Sequence, residues 1–305
     1  MNRLALILLT IAAAMPAVAM EPFETIGLWG DEPLDGVYEN RGSDTRPDGW
    51  LHGVTHPVIT LYRPVGDRPL SAAVVVFPGG GYGGQAIDKE GHFVARWLAE
   101  RGVVGVVVAY RCGGSPHRAP IPLRDAERAV RLTHRWLAER GAGRPTVGVI
   151  GFSAGGHLAA SVATKGAKAD PEASDPLKRF SARPDFAALV YPVISMRPGV
   201  THRGSRRNLL GDKPTEEQIA AWSIDEHVSA DTPSTFLVHS VDDRSVPIEN
   251  ARRYAEACRR VGVPVEAHEY PSGGHGYGMW ATEGEVARWS EAYEGWLSDL
   301  GVIDR

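Results

Sequence analysis

Ser153 sits between Gly151 and Gly155 in TVGVIGFSAGGHLAA, residues 146–160, where an apolar run passes into small helix-forming residues. Glycine two positions before and two after a serine predicts a turn too tight for side chains, one that lifts the hydroxyl out of a sheet and into solvent. A serine that merely capped a helix would not need both glycines. Alone the spacing is a weak signal, because a chain with 35 glycines in 305 residues can show it by chance, and a serine hydroxyl is a poor nucleophile at neutral pH. It needs a base to take its proton and an acid to orient that base.

Candidates for both partners follow later in the chain. FLVHSVDDRSVP ends an apolar run with Asp242 and Asp243 before a turn, and YPSGGHGYGM sets His275 among glycines after the next run. Of eleven histidines, His275 combines a late position with small neighbours that would let an imidazole approach a serine. Either aspartate could be the acid. Attack on a carbonyl also requires donors for the oxyanion that forms. VVVFPGGGYGG supplies them early in the chain: the backbone N–H groups of Gly80 and Gly81, joined by that of Ala154, would cradle the charge. The same glycines do not make a phosphate loop, because the Lys and Ser/Thr that end one are missing, and the dinucleotide-binding spacing is missing too. Tyr82, beside this loop, and Trp280, beyond His275, could wall the site or stack on a sugar ring. His157, just past the serine, reads as a packed or capping residue in preference to a second base.

These residues need a frame, and the hydrophobic pattern supplies one. Short β-branched runs alternate with longer amphipathic segments, the pattern of a mostly parallel sheet with helices on both faces. Strands are expected at 57–64, 71–80, 103–110, 146–153, 185–192, 234–241 and 263–271; the runs 72–77, 103–109 and 147–150 are apolar enough for central strands. Helices are expected at 91–100, 123–140, 153–164, 248–261 and 283–300. Segments 165–182 and 196–230 are rich in charge, proline and glycine, and are expected as insertions near the active-site edge of the sheet.

Composition narrows the class. With 305 residues, 43% of them hydrophobic, the chain can bury a large core, and residues 20–305 are expected to form one domain. Thirty-three basic against 37 acidic residues leave a net charge of −4, which offers nucleic acid no footprint. Arg3, the apolar run Leu4 to Met15 and Ala17-Val18-Ala19 form the parts of an export signal, with cleavage expected after Ala19. That run is too short to span a bilayer, which takes roughly 20 apolar residues, so no stable membrane insertion is expected. Cys112 and Cys258 are the two cysteines, too few for a disulfide framework or a zinc site; two free thiols are expected.

Four blocks carry a resemblance: PGGGYGG, DAERAVRLTHRW, GFSAGGHLAA, and HSVDDRSVP with GGHGYG. With these the chain resembles the α/β-hydrolases, in particular exported carbohydrate esterases of the acetylxylan-esterase and esterase/lipase branch. The resemblance implies an α/β-hydrolase fold and a Ser153, Asp243, His275 triad, Asp243 being favoured because it lies four residues after His239 at the strand end. It further implies hydrolysis of acetyl or other short acyl esters on polysaccharide or oligosaccharide through an acyl-enzyme, secretion or delivery to the periplasm, and no metal or organic cofactor. One departure is Pro78, which stands where the lipase-like branch has histidine, so the oxyanion loop must be braced otherwise. Arg111 and Asp125 fall in matched blocks with a structural part, tying the loop 112–122 to the following helix. Two other functions fit the same residues: a general short-chain carboxylesterase or lipase, and a non-catalytic carbohydrate-binding module on the same scaffold.

Overall fold

The computed structural model describes residues 22–41, 48–64, 66, 70–280 and 283–304. The expected export segment, 1–19, lies outside the described residues. Ten strands are β1 (Glu24–Gly27), β2 (Val37–Asn40), β3 (Gly49–His52), β4 (Val58–Tyr62), β5 (Ala72–Phe77), β6 (Val104–Ala109), β7 (Thr146–Phe152), β8 (Phe186–Val190), β9 (Ser234–Ser240) and β10 (Val265–Tyr270). The α-helices are α1 (Phe93–Glu100), α2 (Ile121–Glu139), α3 (Ala154–Lys165), α4 (Arg203–Leu210), α5 (Glu216–Ala221), α6 (Glu249–Arg260) and α7 (Trp289–Asp299). Eight strands form one sheet in the order β1-β4-β6-β5-β7-β8-β9-β10, and β2 pairs with β3 apart from it. From β6 to β10 neighbouring strands run parallel; β4 is antiparallel to both β6 and β1.

The physical reason for this arrangement is visible in β5. All six of its residues are buried. Ala73, Val75 and Phe77 join the core that contains Ala126, Val130, Leu158 and Tyr254, on the face covered by α2, α3 and α6. Ala72, Val74 and Val76 join the core of Val94, Leu98, Trp289 and Tyr293, on the face covered by α1 and α7. A strand with period-two alternation that is apolar at every position can rest only between two helical layers. Along α2 the buried positions Ala126, Ala129, Val130, Thr133, Trp136 and Leu137 recur at helical spacing, so one stripe packs while the other meets solvent.

The seven strands expected from the sequence correspond to β4 to β10, and the five expected helices to α1, α2, α3, α6 and α7. The last begins later than expected, because Gly284 at φ 73° breaks the backbone and a 3₁₀ turn, Glu285–Arg288, precedes the helix. β1, β2 and β3 carry four residues each, too few to announce a period. Segment 196–230 contains α4 and α5: α4 lies at the edge where the parallel strands end, against the loop after β5 through Asn208, while the Ala221 carbonyl at the end of α5 accepts from Lys165 at the far end of α3. Segment 165–182 packs along α2, where Arg131 donates to the Lys178 and Phe180 carbonyls. It follows the far end of α3 and leads into β8 at the opposite edge, where the Asp185 carboxylate accepts the Val147 N–H at 2.7 Å. The physical reason is that the helix has by then carried the chain back across the sheet. Cys112 and Cys258 are both free and buried, and burial pushes each thiol up to about 12. Among the described residues no helix is long and apolar enough to cross a membrane.

Candidate active site

The turn between β7 and α3 holds Ser153 at φ 53° and ψ −118°, a conformation an L-residue adopts only under constraint. The constraint comes from both sides. Ser153 donates its N–H to the Val190 carbonyl at 3.0 Å, and its own carbonyl accepts the Val193 N–H at 3.0 Å. The flanking glycines are dictated by crowding. A β-carbon on Gly155 would stand 2.1 Å from the Phe77 carbonyl oxygen, and one on Gly151 2.2 Å from the Gly155 oxygen. The start of α3 is therefore pressed onto the end of β5, and the serine side chain is left at the sheet edge, 6% exposed.

His275 reaches this hydroxyl from the loop after β10. Its Nε2 lies 2.9 Å from Ser153 Oγ, across 122 residues of chain. Its Nδ1 lies 2.6 Å from Asp243 Oδ2. An ionised carboxylate can only accept, so Nδ1 carries the proton and Nε2 is left to accept from the serine. The loop that delivers the ring bends through Gly273, Gly274, Gly276 and Gly278, all at positive φ. Such bends are steeply disfavoured for residues with a β-carbon.

The two neighbouring aspartates divide the work. Asp243 is buried; its Oδ1 accepts the N–H groups of Ser245 at 2.8 Å and Val246 at 2.9 Å, and its Oδ2 also meets His239 Nε2 at 3.2 Å. Burial alone would raise its pKa, but the hydrogen bonds from His239 and His275 outweigh it and hold the carboxyl well below the usual carboxylate range. Asp242 is exposed, and its Oδ1 accepts the Gly274 N–H at 2.8 Å, one residue before the imidazole.

Above the serine, the loop after β5 presents Gly80 at φ 143° and Gly81 at φ 62°. Among the described residues the N–H groups of Gly80, Gly81 and Ala154 have no backbone acceptor. The loop is braced from behind by groups that the sequence did not reveal. Gly79 donates to Glu90 Oε2 at 2.8 Å, and Glu90 Oε1 accepts the Tyr191 hydroxyl at 2.9 Å. The same Tyr191 oxygen accepts the Gly278 N–H at 2.9 Å, and its ring lies 4.7 Å from that of His275. One buried carboxylate thus links the glycine loop to the histidine loop. Burial raises its pKa above the ordinary value. The Pro78 carbonyl accepts from the Tyr110 hydroxyl at 2.7 Å, which holds the backbone at the start of the loop.

Tyr82 is placed otherwise than expected. Its ring is 1% exposed and its hydroxyl is 2.8 Å from His157 Nδ1, so it has no face to offer a substrate. The physical reason is its φ of 56°, which turns the side chain away from the loop's open side and into the core. His157 is sealed with it: Nε2 lies 2.8 Å from the Trp222 carbonyl, and burial pushes its pKa down to about 4. Trp280 ends a 3₁₀ turn, Gly278–Trp280, and its side chain lies outside the described residues. Arg111 and Asp125 form a closed pair, with Asp125 Oδ2 accepting the Arg111 N–H and Nε, each at 3.0 Å. Asp125 Oδ1 also accepts Trp29 Nε1 at 2.6 Å, which ties the N-terminal segment to α2.

A serine on the turn after a central parallel strand, with acid and imidazole following later strands, is the arrangement of the α/β-hydrolases. The chain belongs to that family: the model of the alpha/beta hydrolase fold matches residues 74–279. It is 32% identical over 240 residues to an acetylxylan esterase of Xylanibacter ruminicola, covering 77% of this chain and 45% of that protein. The chain thus spans under half the length of that relative. Among solved structures it is similar to an acetyl ester-xyloside bifunctional hydrolase of Caldicellulosiruptor lactoaceticus, with 37% identity, a TM-score of 0.76, and coverage of 89% of this chain and 97% of the other. A butyrate-bound esterase of Thermogutta terrifontis matches with 25% identity and a TM-score of 0.66, over 82% of this chain and 91% of its own.

Proposed function

We propose that the chain is a serine esterase that removes acetyl or other short acyl groups from esters of polysaccharides or oligosaccharides. His275 takes the proton of Ser153 Oγ as that oxygen bonds to the ester carbonyl carbon, and the N–H groups of Gly80, Gly81 and Ala154 receive the oxyanion. Collapse expels the alcohol, which takes the proton from His275, and leaves an acyl-Ser153. Water, deprotonated by the same imidazole, then releases the carboxylic acid and restores the serine. Asp243 holds the Nδ1–H tautomer and balances the imidazolium. The observation that carries the reading is the line of bonds from Ser153 Oγ to His275 at 2.9 Å and on to Asp243 at 2.6 Å. The acetyl preference is supported by the acetylxylan esterase and acetyl ester-xyloside hydrolase relatives. Residues 1–19 would direct the chain out of the cytoplasm, so a secreted sample should begin at Met20.

A broader short-chain carboxylesterase is the second reading, favoured by the butyrate held by the Thermogutta enzyme. Acetate release from acetylated xylan, pectin and glucomannan, compared with hydrolysis of aryl acetates and butyrates, separates the two. Ser153→Ala should abolish turnover and labelling by a fluorophosphonate while leaving the unfolding transition intact. Hydrolysis of 4-nitrophenyl acetate by that variant at the parent rate would remove the assignment, and a parent that binds polysaccharide without labelling would be a binding module.

A further inference from the structure

The bonded line through Ser153 leaves one imidazole of the same cleft unused. His202 immediately precedes α4, and its ring lies against the oxyanion loop: a β-carbon on Gly81 would be 3.5 Å from its Cε1. Near the other end of α4, Asn208 Nδ2 donates to the Gly81 carbonyl at 2.9 Å, so the helix rests on the loop at both ends. His202 also lies within the electrostatic reach of both His275 and Asp243.

The tautomer of this ring is fixed by the backbone. Ser205 donates its N–H to His202 Nδ1 at 3.2 Å, and Ser205 Oγ lies 2.9 Å from the same nitrogen. A nitrogen whose lone pair accepts an amide proton carries none of its own, so the ring proton sits on Nε2. Among the described residues Nε2 has no hydrogen-bond partner, and the residue is only half-buried. Burial, helped by the nearby His275, keeps the ring's pKa below its ordinary value, so at neutral pH it is an uncharged donor and does not repel an imidazolium forming on His275.

A donor beside the oxyanion loop needs an acceptor on the substrate. The carbonyl oxygen of the ester is taken by Gly80, Gly81 and Ala154, and an acetyl group offers beyond it only a methyl. The remaining acceptors belong to the alcohol portion. We propose that His202 is a specificity-determining residue whose Nε2–H donates to an oxygen of that portion, a sugar hydroxyl or ring oxygen beside the scissile bond, and so favours acetates of polyols over acetates of simple aryl alcohols. The assignment rests on the esterase reading above.

The test is His202→Asn, because an asparagine oxygen can accept the same first-turn N–H and keep the cap of α4, yet its amide falls short of the position of Nε2. The readout is the ratio of kcat/KM for acetylated xylo-oligosaccharide to that for 4-nitrophenyl acetate, each rate normalised to active sites titrated with a fluorophosphonate. One neutral hydrogen bond is worth about a 3- to 10-fold change in this ratio, and a fall of that size is expected. An unchanged ratio, whether both rates hold or both fall together, overturns the role of His202 and leaves the esterase reading standing. A parent that cleaves the aryl ester but releases no acetate from the sugar ester overturns the polyol reading, and the assignment to His202 with it.

Discussion

Adjacent residues in a turn point in different directions, and at Asp242 and Asp243 this decides which carboxylate meets the imidazole. Asp243 turns inward to His275 Nδ1, while Asp242 stays in solvent and holds the Gly274 amide. Their substitutions should therefore separate. Asp243→Asn presents an amide where only an acceptor fits and favours the wrong tautomer, so kcat should fall by roughly 10³–10⁴. Asp242→Asn keeps an oxygen for the Gly274 N–H and should cost less than about tenfold, the scale of one weakened hydrogen bond. Steady-state kinetics on 4-nitrophenyl acetate check both, and similar losses in the two variants would reverse the assignment of the acid. The residues of VDDRS alone leave both positions open, the resemblance favours Asp243 by its spacing from His239, and the backbone around Ser245 and Val246 turns that carboxylate inward.

The element that matters most to the site is the junction of β5, β7 and α3. Gly155 lets α3 start against the Phe77 and Pro78 carbonyls, whose oxygens would lie 2.1 and 2.5 Å from a β-carbon there. Those are backbone atoms and cannot swing aside. Gly155→Ala should push α3 off β5, with a stability cost of about 1–3 kcal/mol and a larger loss of activity, because the Ala154 N–H moves with the helix. Farther along α3, Leu158 is 1% exposed in the core, and Leu158→Ala should cost about 2–5 kcal/mol by leaving a cavity, with the site's rate constants little changed. Urea unfolding combined with kinetics measures both; a Gly155→Ala enzyme of parental kcat would show that the junction has slack. The glycines were legible from their spacing, whereas α4 was not. Its sequence RGSRRNLL carries two apolar residues, Leu209 and Leu210, which join the core, and the helix is held further by Asn208 on the Gly81 carbonyl and by the cap made by His202.

Across the whole molecule, buried histidines set the response to acid. His157 titrates near 4 when folded and near 6.5 when unfolded, because burial disfavours its charged form. Between these values the unfolded chain binds the proton and the folded one does not, so stability falls as the pH drops from 6.5 towards 4, by roughly 3 kcal/mol for this residue in full. His92, also pushed down to about 4 by burial, acts in the same window and with the same sign. Glu90 opposes them, since a carboxyl raised by burial binds its proton more readily in the folded state. Asp243, held low, adds stability that is lost only at more acid pH. The unfolding free energy of the parent should therefore slope upward with pH between 4.5 and 6.5, and His157→Gln should lessen that slope by up to one proton, whatever its own stability. An unchanged slope would mean that His157 already takes up its proton within the fold.

What the sequence determined by itself is what depends on neighbours along the chain. Short β-branched apolar runs define β4 to β10, helical periodicity defines α1, α2, α3, α6 and α7, glycine spacing marks the turn at Ser153, and chain order marks His275 and an aspartate before it. Tertiary structure turned the aspartate favoured by the resemblance, Asp243, inward, and alone decided that Tyr82 points into the core, that segment 165–182 packs along α2, and that Glu90 and His202 stand around the site. These depend on where a side chain points once distant segments have packed. Glu90 meets Tyr191 across 101 residues, and His202 is brought beside Gly81 by a helix whose Asn208 donates to the Gly81 carbonyl. Local pattern carries the first kind of information because backbone periodicity is a short-range property, whereas orientation around a site is fixed only when the layers close on one another.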